Sequence, residues 1–398
     1  MRGSPATWIL LAALAVAPDA GRAAPPQGIK PTRPVPARPP DSGRLARARR
    51  LLGADAVAGS LGPYVLYTDL RDPERLAWLG RVAGRFEEAY RVRTGRVPIG
   101  APAEVVVLFA EEADYQSFQR EERQLAPLAS RGHSGYGIVA LWDGGRSRLD
   151  LASTLVHELA HLVNRRSLGP LLPSWLDEGI ADELAVCEID EEGRILPGTL
   201  SGVRVKAGRF YRVFGARASL LALAQEMEEG RLPPLTRLHD LAWEEFVGSE
   251  GGLHYIHAAF WIRYLWDGDG GALAPGLLAF LAGVADGRPA TGEALRGHLG
   301  RGWPELEAGF RGWLAQQAEA ERAGRGDGEP VSPPRHEPTA ATESLPAPGA
   351  PGGVPSPPAS APPALPARAP EELGRTPGIG GRSTSGPGGA LRSGVDSR

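Results

Sequence analysis

Asp150 to Asn164 reads DLASTLVHELAHLVN, and the reading of this stretch sets what can surround it. Leu151, Leu155, Val156, Leu159, Leu162 and Val163 recur at helical spacing, which predicts a helix with an apolar stripe turned to a core. Ser147, three residues before Asp150, makes a helix-start box with it. His157 and His161 stand four apart, so both imidazoles project from one face, a turn apart. Two neutral nitrogen donors aimed at one spot suit a zinc ion held at about 2 Å, and Glu158 lies beside them, in reach of a water at such a site.

A catalytic zinc site takes three protein ligands plus water. Gly169-Pro170 and Pro173 must end the helix, and Ser174-Trp175-Leu176-Asp177 carries a second Ser-x-x-Asp start signal, so the chain is expected to double back as a new helix. Glu178, early in that helix, then faces the two histidines and supplies the third ligand to a single Zn2+. Asp182 falls one turn later on the same face, where its carboxylate can accept the free N–H of a ligating histidine and fix its tautomer.

Working outward, Pro63 to Leu70 and Ala103 to Ala110 read as strands, and Tyr136 to Trp142 as a third that ends at the Asp143-Gly144-Gly145 turn. Helices are predicted over 73–93 and 112–123 between them. Beyond Asp150 the pattern is mainly helical, over 150–166, 175–187, 219–229, 254–267, 274–284 and 303–320. A strand-rich first half and a helical second half give an α+β fold.

The apolar share of 42% and nine Trp supply a sizeable core within 398 residues. A formal net charge of -3, with both signs scattered, offers no sustained basic patch and argues against nucleic acid as a partner. Cys187 is the only cysteine, which excludes an internal disulfide framework and a cysteine-based zinc knuckle; in the apolar run Ile180 to Ile189, taken as helical, it reads as a small buried hydrophobe. Residues 1–23 read as a secretory signal peptide, with Arg2 before an apolar run from Trp8 to Ala17 that is too short to span a bilayer and with cleavage after Ala17, Ala20 or Ala23. The expected address is therefore exported: periplasm, cell envelope or medium, with a membrane involved only if that segment stays uncleaved. Residues 24–42 read as a Pro-rich linker and 43–322 as one body. Residues 323–398 lack Trp, Tyr and Phe and read as a disordered Pro/Gly/Ser/Ala-rich tail.

HELAH followed by PSWLDEGIAD resembles the HExxH and WLxEG pair of gluzincin zinc metallopeptidases, and most closely the bacterial peptidase MA-like domains. The resemblance is specific over about 136–187 and looser from 63 to 316. It implies a zincin-like fold, a small mixed sheet with an edge strand followed by a mainly helical half, and it makes Glu178 the third zinc ligand. The interval from His161 to Glu178 is slightly shorter than in the thermolysin and aminopeptidase N types, so the connecting loop is tighter. GGLHYIHAAFWIRYLWDGDG is similar to a downstream helix of the aminopeptidase N type, which puts Tyr255 at the position that stabilises the oxyanion, with His254 and His257 as substitutes and a buried aromatic stripe as the competing reading. His133, His239 and His298 read as surface or loop residues.

These parts point to peptide hydrolysis with Glu158 as general base, acting on a protein or peptide substrate. The resemblance further implies that the strand 136–142 lines the cleft and pairs with an extended peptide. The competing expectation is a catalytically silent envelope protein whose zinc-stabilised domain binds a partner.

Overall fold

In the computed structural model, which describes residues 42–324 apart from 55, 97–103, 122–129, 136, 201–215 and 249, helix α1 (Ser42–Leu52) leads into a hairpin of β1 (Val57–Leu61) and β2 (Tyr64–Thr68). Then follow α2 (Pro73–Thr94), β3 (Val105–Phe109), α3 (Glu112–Glu121), β4 (Gly132–Gly135) and β5 (Ile138–Trp142). The chain continues as α4 (Arg148–Ser167), α5 (Ser174–Ala185) and a short hairpin of β6 (Glu188–Ile189) and β7 (Ile195–Leu196). The rest is helical: α6 (Ala216–Glu228), α7 (Leu235–Asp240), α8 (Trp243–Phe246), α9 (Gly251–Asp267), α10 (Ala274–Ala285), α11 (Gly292–Leu299) and α12 (Trp303–Gly324). This is an α+β arrangement with a small mixed sheet. The stretch read as a signal peptide, nearly all of that read as a linker and nearly all of that read as a tail lie outside the described residues.

The five strands stand in the order β1-β2-β3-β5-β4, with β2, β3 and β5 mutually parallel and the two outer strands antiparallel to their neighbours. β3 runs VVVLF and is buried throughout, as a central strand covered on both faces must be. Its alternation divides the core. Val106 and Leu108, with Val139 and Leu141 of β5, face α2, α4 and the helical half, whereas Val105, Val107 and Phe109, with Ile138 and Ala140, face α1 and α3. The sheet is thus the middle of three layers.

Several expectations need correction. The strand read from Tyr136 runs from Ile138, and Tyr136 lies outside the described residues. It is an interior strand, hydrogen-bonded to β3 on one side and β4 on the other; the edge belongs to Gly132–Gly135, whose two glycines gave it no strand signal. Cys187 is buried as expected, but α5 has already ended at Ala185, so the thiol sits past the helix and donates to Glu183 O. His239 is buried within α7 rather than on the surface, and His133 lies on β4; His298 is exposed. Among the described residues no helix is long and apolar enough to cross a membrane.

Candidate metal centre

α4 starts where its cap predicts. Ser147 accepts a hydrogen bond from Asp150 N at 3.1 Å, and the apolar stripe then buries Leu151, Leu155, Val156, Leu159, Leu162 and Val163. Past Ser167 the chain turns through Gly169, whose φ of 117° suits glycine, and re-enters as α5 behind Pro173. Pro173 occupies the cap position and no side chain caps α5, so the Ser-x-x-Asp signal located the start but misassigned the use of Asp177. α5 packs against both α4 and α9. Gly179 permits the second contact: a Cβ there would stand 2.9 Å from Ala258 O and 2.9 Å from Ile262 Cγ1, so any side chain would push α5 away from α9.

This packing delivers three donors to one point. His157 Nε2 and His161 Nε2 are 3.0 Å apart, and Glu178 Oε2 lies 3.5 Å from the first and 3.3 Å from the second. The residues form a group able to hold a metal ion. Two observations test the fit. Donors around a tetrahedral ion with bonds of about 2.0–2.1 Å sit roughly 3.3–3.4 Å from one another, close to the spacing here. Glu178 Oε2 is also buried with no hydrogen-bond partner among the described residues, a costly state for a carboxylate oxygen unless a cation satisfies it.

The far nitrogens are held by carboxylates of α5. His157 Nδ1 is 2.7 Å from Asp182 Oδ1, and His161 Nδ1 is 3.0 Å from Asp177 Oδ2, off the ideal hydrogen-bond axis. Asp177 is itself fixed: Asn164 Nδ2 donates to its Oδ1 at 2.7 Å and to its backbone oxygen at 3.2 Å, and the fully buried Tyr90 donates to Asn164 Oδ1 at 2.9 Å. Sequence reasoning found Asp182 but missed Asp177, Asn164 and Tyr90. Asp177 was accounted for as a cap, and nothing in sequence links Tyr90 to a helix seventy residues on.

The charges follow from this geometry. Burial disfavours a proton on His157, yet the Asp182 carboxylate outweighs it and pushes the imidazole up to about 9. Burial opposes His161 likewise, and Asp177 and Glu178 together drive it well above its usual range. Burial would raise Asp177, but the His161 imidazole and the Asn164 amide hold its carboxyl below the usual carboxylate range. A nest of carboxylates that draws protons onto two imidazoles draws a divalent cation in the same way.

Glu158 is buried on the face of α4 turned to the edge strand: a Cβ added at Gly132 would stand 3.0 Å from Glu158 Cγ and 3.0 Å from Thr154 Cγ2. Tyr255 is half-buried on α9, its ring centroid 5.1 Å from that of Phe246 and near edge-on to it. Of the two named substitutes, His254 is 3.0 Å from Phe246 O through Nδ1, and His257 is fully buried against Phe310. No protein-family model matches the chain, and no curated protein matches it.

Proposed function

We propose that the chain is a zinc-dependent peptidase of the gluzincin type with a zincin-like fold, exported by its N-terminal segment and acting on protein or peptide substrates. The observation that carries the reading is the meeting of His157, His161 and Glu178, with Glu158 next in sequence to the first of them and its Cγ against Gly132 of the outermost strand. Two imidazoles and one carboxylate are the ligand set that suits zinc with a position left for water. When bound there, zinc supplies a Lewis acid that polarises a carbonyl and eases ionisation of water.

The protein's own groups supply the rest. Glu158 takes the proton of the attacking water and returns it to the leaving amine nitrogen. Asp182 and Asp177 stand at the Nδ1 atoms of the two histidines and orient the rings so that Nε2 of each faces the ligand position. Tyr255 is the proposed donor to the developing oxyanion. A site built only for stability needs no base, so Glu158 beside the ligands favours catalysis over a silent binding module.

The full chain and its Glu158→Gln variant test this together. Both should bind one zinc, and only the wild type should cleave a mixed peptide library, with the variant slowed by about 10²–10⁴-fold or more. Zinc binding without cleavage by either protein would replace the peptidase with the binding module, and absence of zinc from both would remove the reading altogether.

A further inference from the structure

Glu158 faces β4 at Gly132, and the register of that strand fixes what its outer edge offers. Gly137 turns its carbonyl to Val105 N of β3 at 2.9 Å, so Ile138 and Ala140 turn their backbone groups to β4 and make the hydrogen-bonded pairs with Gly135 and His133. Alternation along the strand then turns the N–H and C=O of Ser134 and of Gly132 away from β5, toward the open edge. An extended chain adding to this edge would bond to those groups.

One of them is already engaged. Arg165 donates through both terminal nitrogens to Ser134 O, each at a long 3.4 Å. It stands seven residues beyond Glu158 on α4, two helical turns along the same face, in line with Thr154, Glu158 and His161. The side chain is half-buried; its charge acts on Asp177, but no carboxylate of the described residues makes an ion pair with it. A guanidinium carries five donors in a fork matched to a carboxylate, and two long bonds to one carbonyl leave that capacity largely unused. The arginines near the other end of β4 differ. Arg131 is paired with Asp150, and Arg146 donates to Thr154 Oγ1, Trp142 O and Asp143 O.

From these observations we infer that Arg165 is a specificity-determining residue, receiving a carboxylate of the bound peptide at the Ser134 end of the edge strand. Resting on the peptidase reading above, the inference names the substrate class: an extended peptide bearing an acidic group a fixed distance from the cleaved bond. Seven residues of helix span about 10 Å, the length of roughly three residues of extended chain, which sets that distance. A side chain or a free C-terminus offers the same carboxylate.

The test uses the full-length zinc-loaded protein with capped peptide pairs that differ only by Glu for Gln at successive positions, and a further pair that differs only by a free or amidated C-terminus. Cleavage by the wild type should favour Glu by at least about tenfold in kcat/KM at one position, or the free terminus if that is the source. Arg165→Gln should bring the ratio close to one and Arg165→Lys should leave it intermediate, with zinc content and circular dichroism checking that both variants fold. Binding of the same pairs to Glu158→Gln and to Glu158→Gln/Arg165→Gln, read by fluorescence anisotropy, separates the two claims. Cleavage without acidic preference overturns the role of Arg165 and leaves the peptidase standing. Acid-selective, Arg165-dependent binding without cleavage by the wild type keeps the subsite and overturns the peptidase. Neither cleavage nor selective binding overturns both.

Discussion

His157 and His161 on the one hand, and His239 and His257 on the other, are two pairs of histidines in one chain, all buried but the half-buried His157, with opposite surroundings. The first pair meets Glu178, Asp177 and Asp182, and its imidazoles are pushed upward. The second pair is packed among rings: His239 has Trp175 at 4.0 Å and Trp303 at 4.9 Å, and His257 stacks on Phe310 at 5.5 Å. Its four ring nitrogens find no hydrogen-bond partner among the described residues, and burial above all pulls each imidazole down to about 3. Trp175 and Glu178 sit on the same turn of α5, so one helix serves both environments. Residue type alone does not make a site; what the neighbouring helix brings to the ring does.

The sharpest way to break the comparison is to exchange histidine for phenylalanine in each pair. His161→Phe should lower zinc affinity by more than about a hundredfold, beyond what loss of an outer partner costs, as read by competition with a chromophoric chelator. His257→Phe should leave zinc affinity unchanged and shift unfolding free energy by less than about 1.5 kcal/mol in denaturant titration, because a ring of similar shape replaces one whose nitrogens are unpartnered. Equal effects at the two positions would mean that the aromatic pair is not a packing feature.

A smaller effect is expected one step out from the three donors. Asp177→Asn and Asp182→Asn should each weaken zinc by about 10–100-fold, and Asn164→Ala should weaken it less, since it acts only through Asp177. A cobalt-substituted protein gives an independent reading, with its visible absorption altered by the Asp177 and Asp182 changes. An unaltered spectrum and affinity would show that these carboxylates do not orient the rings.

The smallest effect is a sign difference with pH. In zinc-free protein the folded pKa of His157 lies above its unfolded value, so its contribution to stability is full below about 6.5 and is lost as pH rises through about 9. For His239 and His257 the folded value is depressed, so their contribution is present above about 6.5 and fades as pH falls toward about 3. Melting curves of wild type, His157→Phe and His257→Phe should show these two opposed slopes, each reduced by its own substitution, with the remainder carried by His161 and His239. Zinc affinity should rise with pH over the window in which His157 loses its proton.

Legibility in the sequence tracked how local each determinant was. The helices around the site were readable because the stripe from Leu151 to Val163, the Ser147 cap and the prolines after Asn164 act within a turn or two. The three donors were readable for the same reason, since their spacing lies within two consecutive helices. The edge strand was not, because Gly132–Gly135 contributes two glycines and is a strand only through its pairing with Ile138–Trp142. The burial of His239 was not readable either: it depends on Trp175, Trp261 and Trp303, which arrive from three separate helices. Tyr90 reaches Asn164 from α2, a contact that only the tertiary packing creates.

The donors and their supporting carboxylates lie in one uninterrupted stretch from His157 to Asp182, and α5 alone contributes Asp177, Glu178 and Asp182. In mechanical terms the centre is a cassette. A change in length of the loop from Leu168 to Pro173 would displace its three acidic groups together. The rest of the chain needs to supply only a helix to clamp it at Gly179 and a strand with a free side.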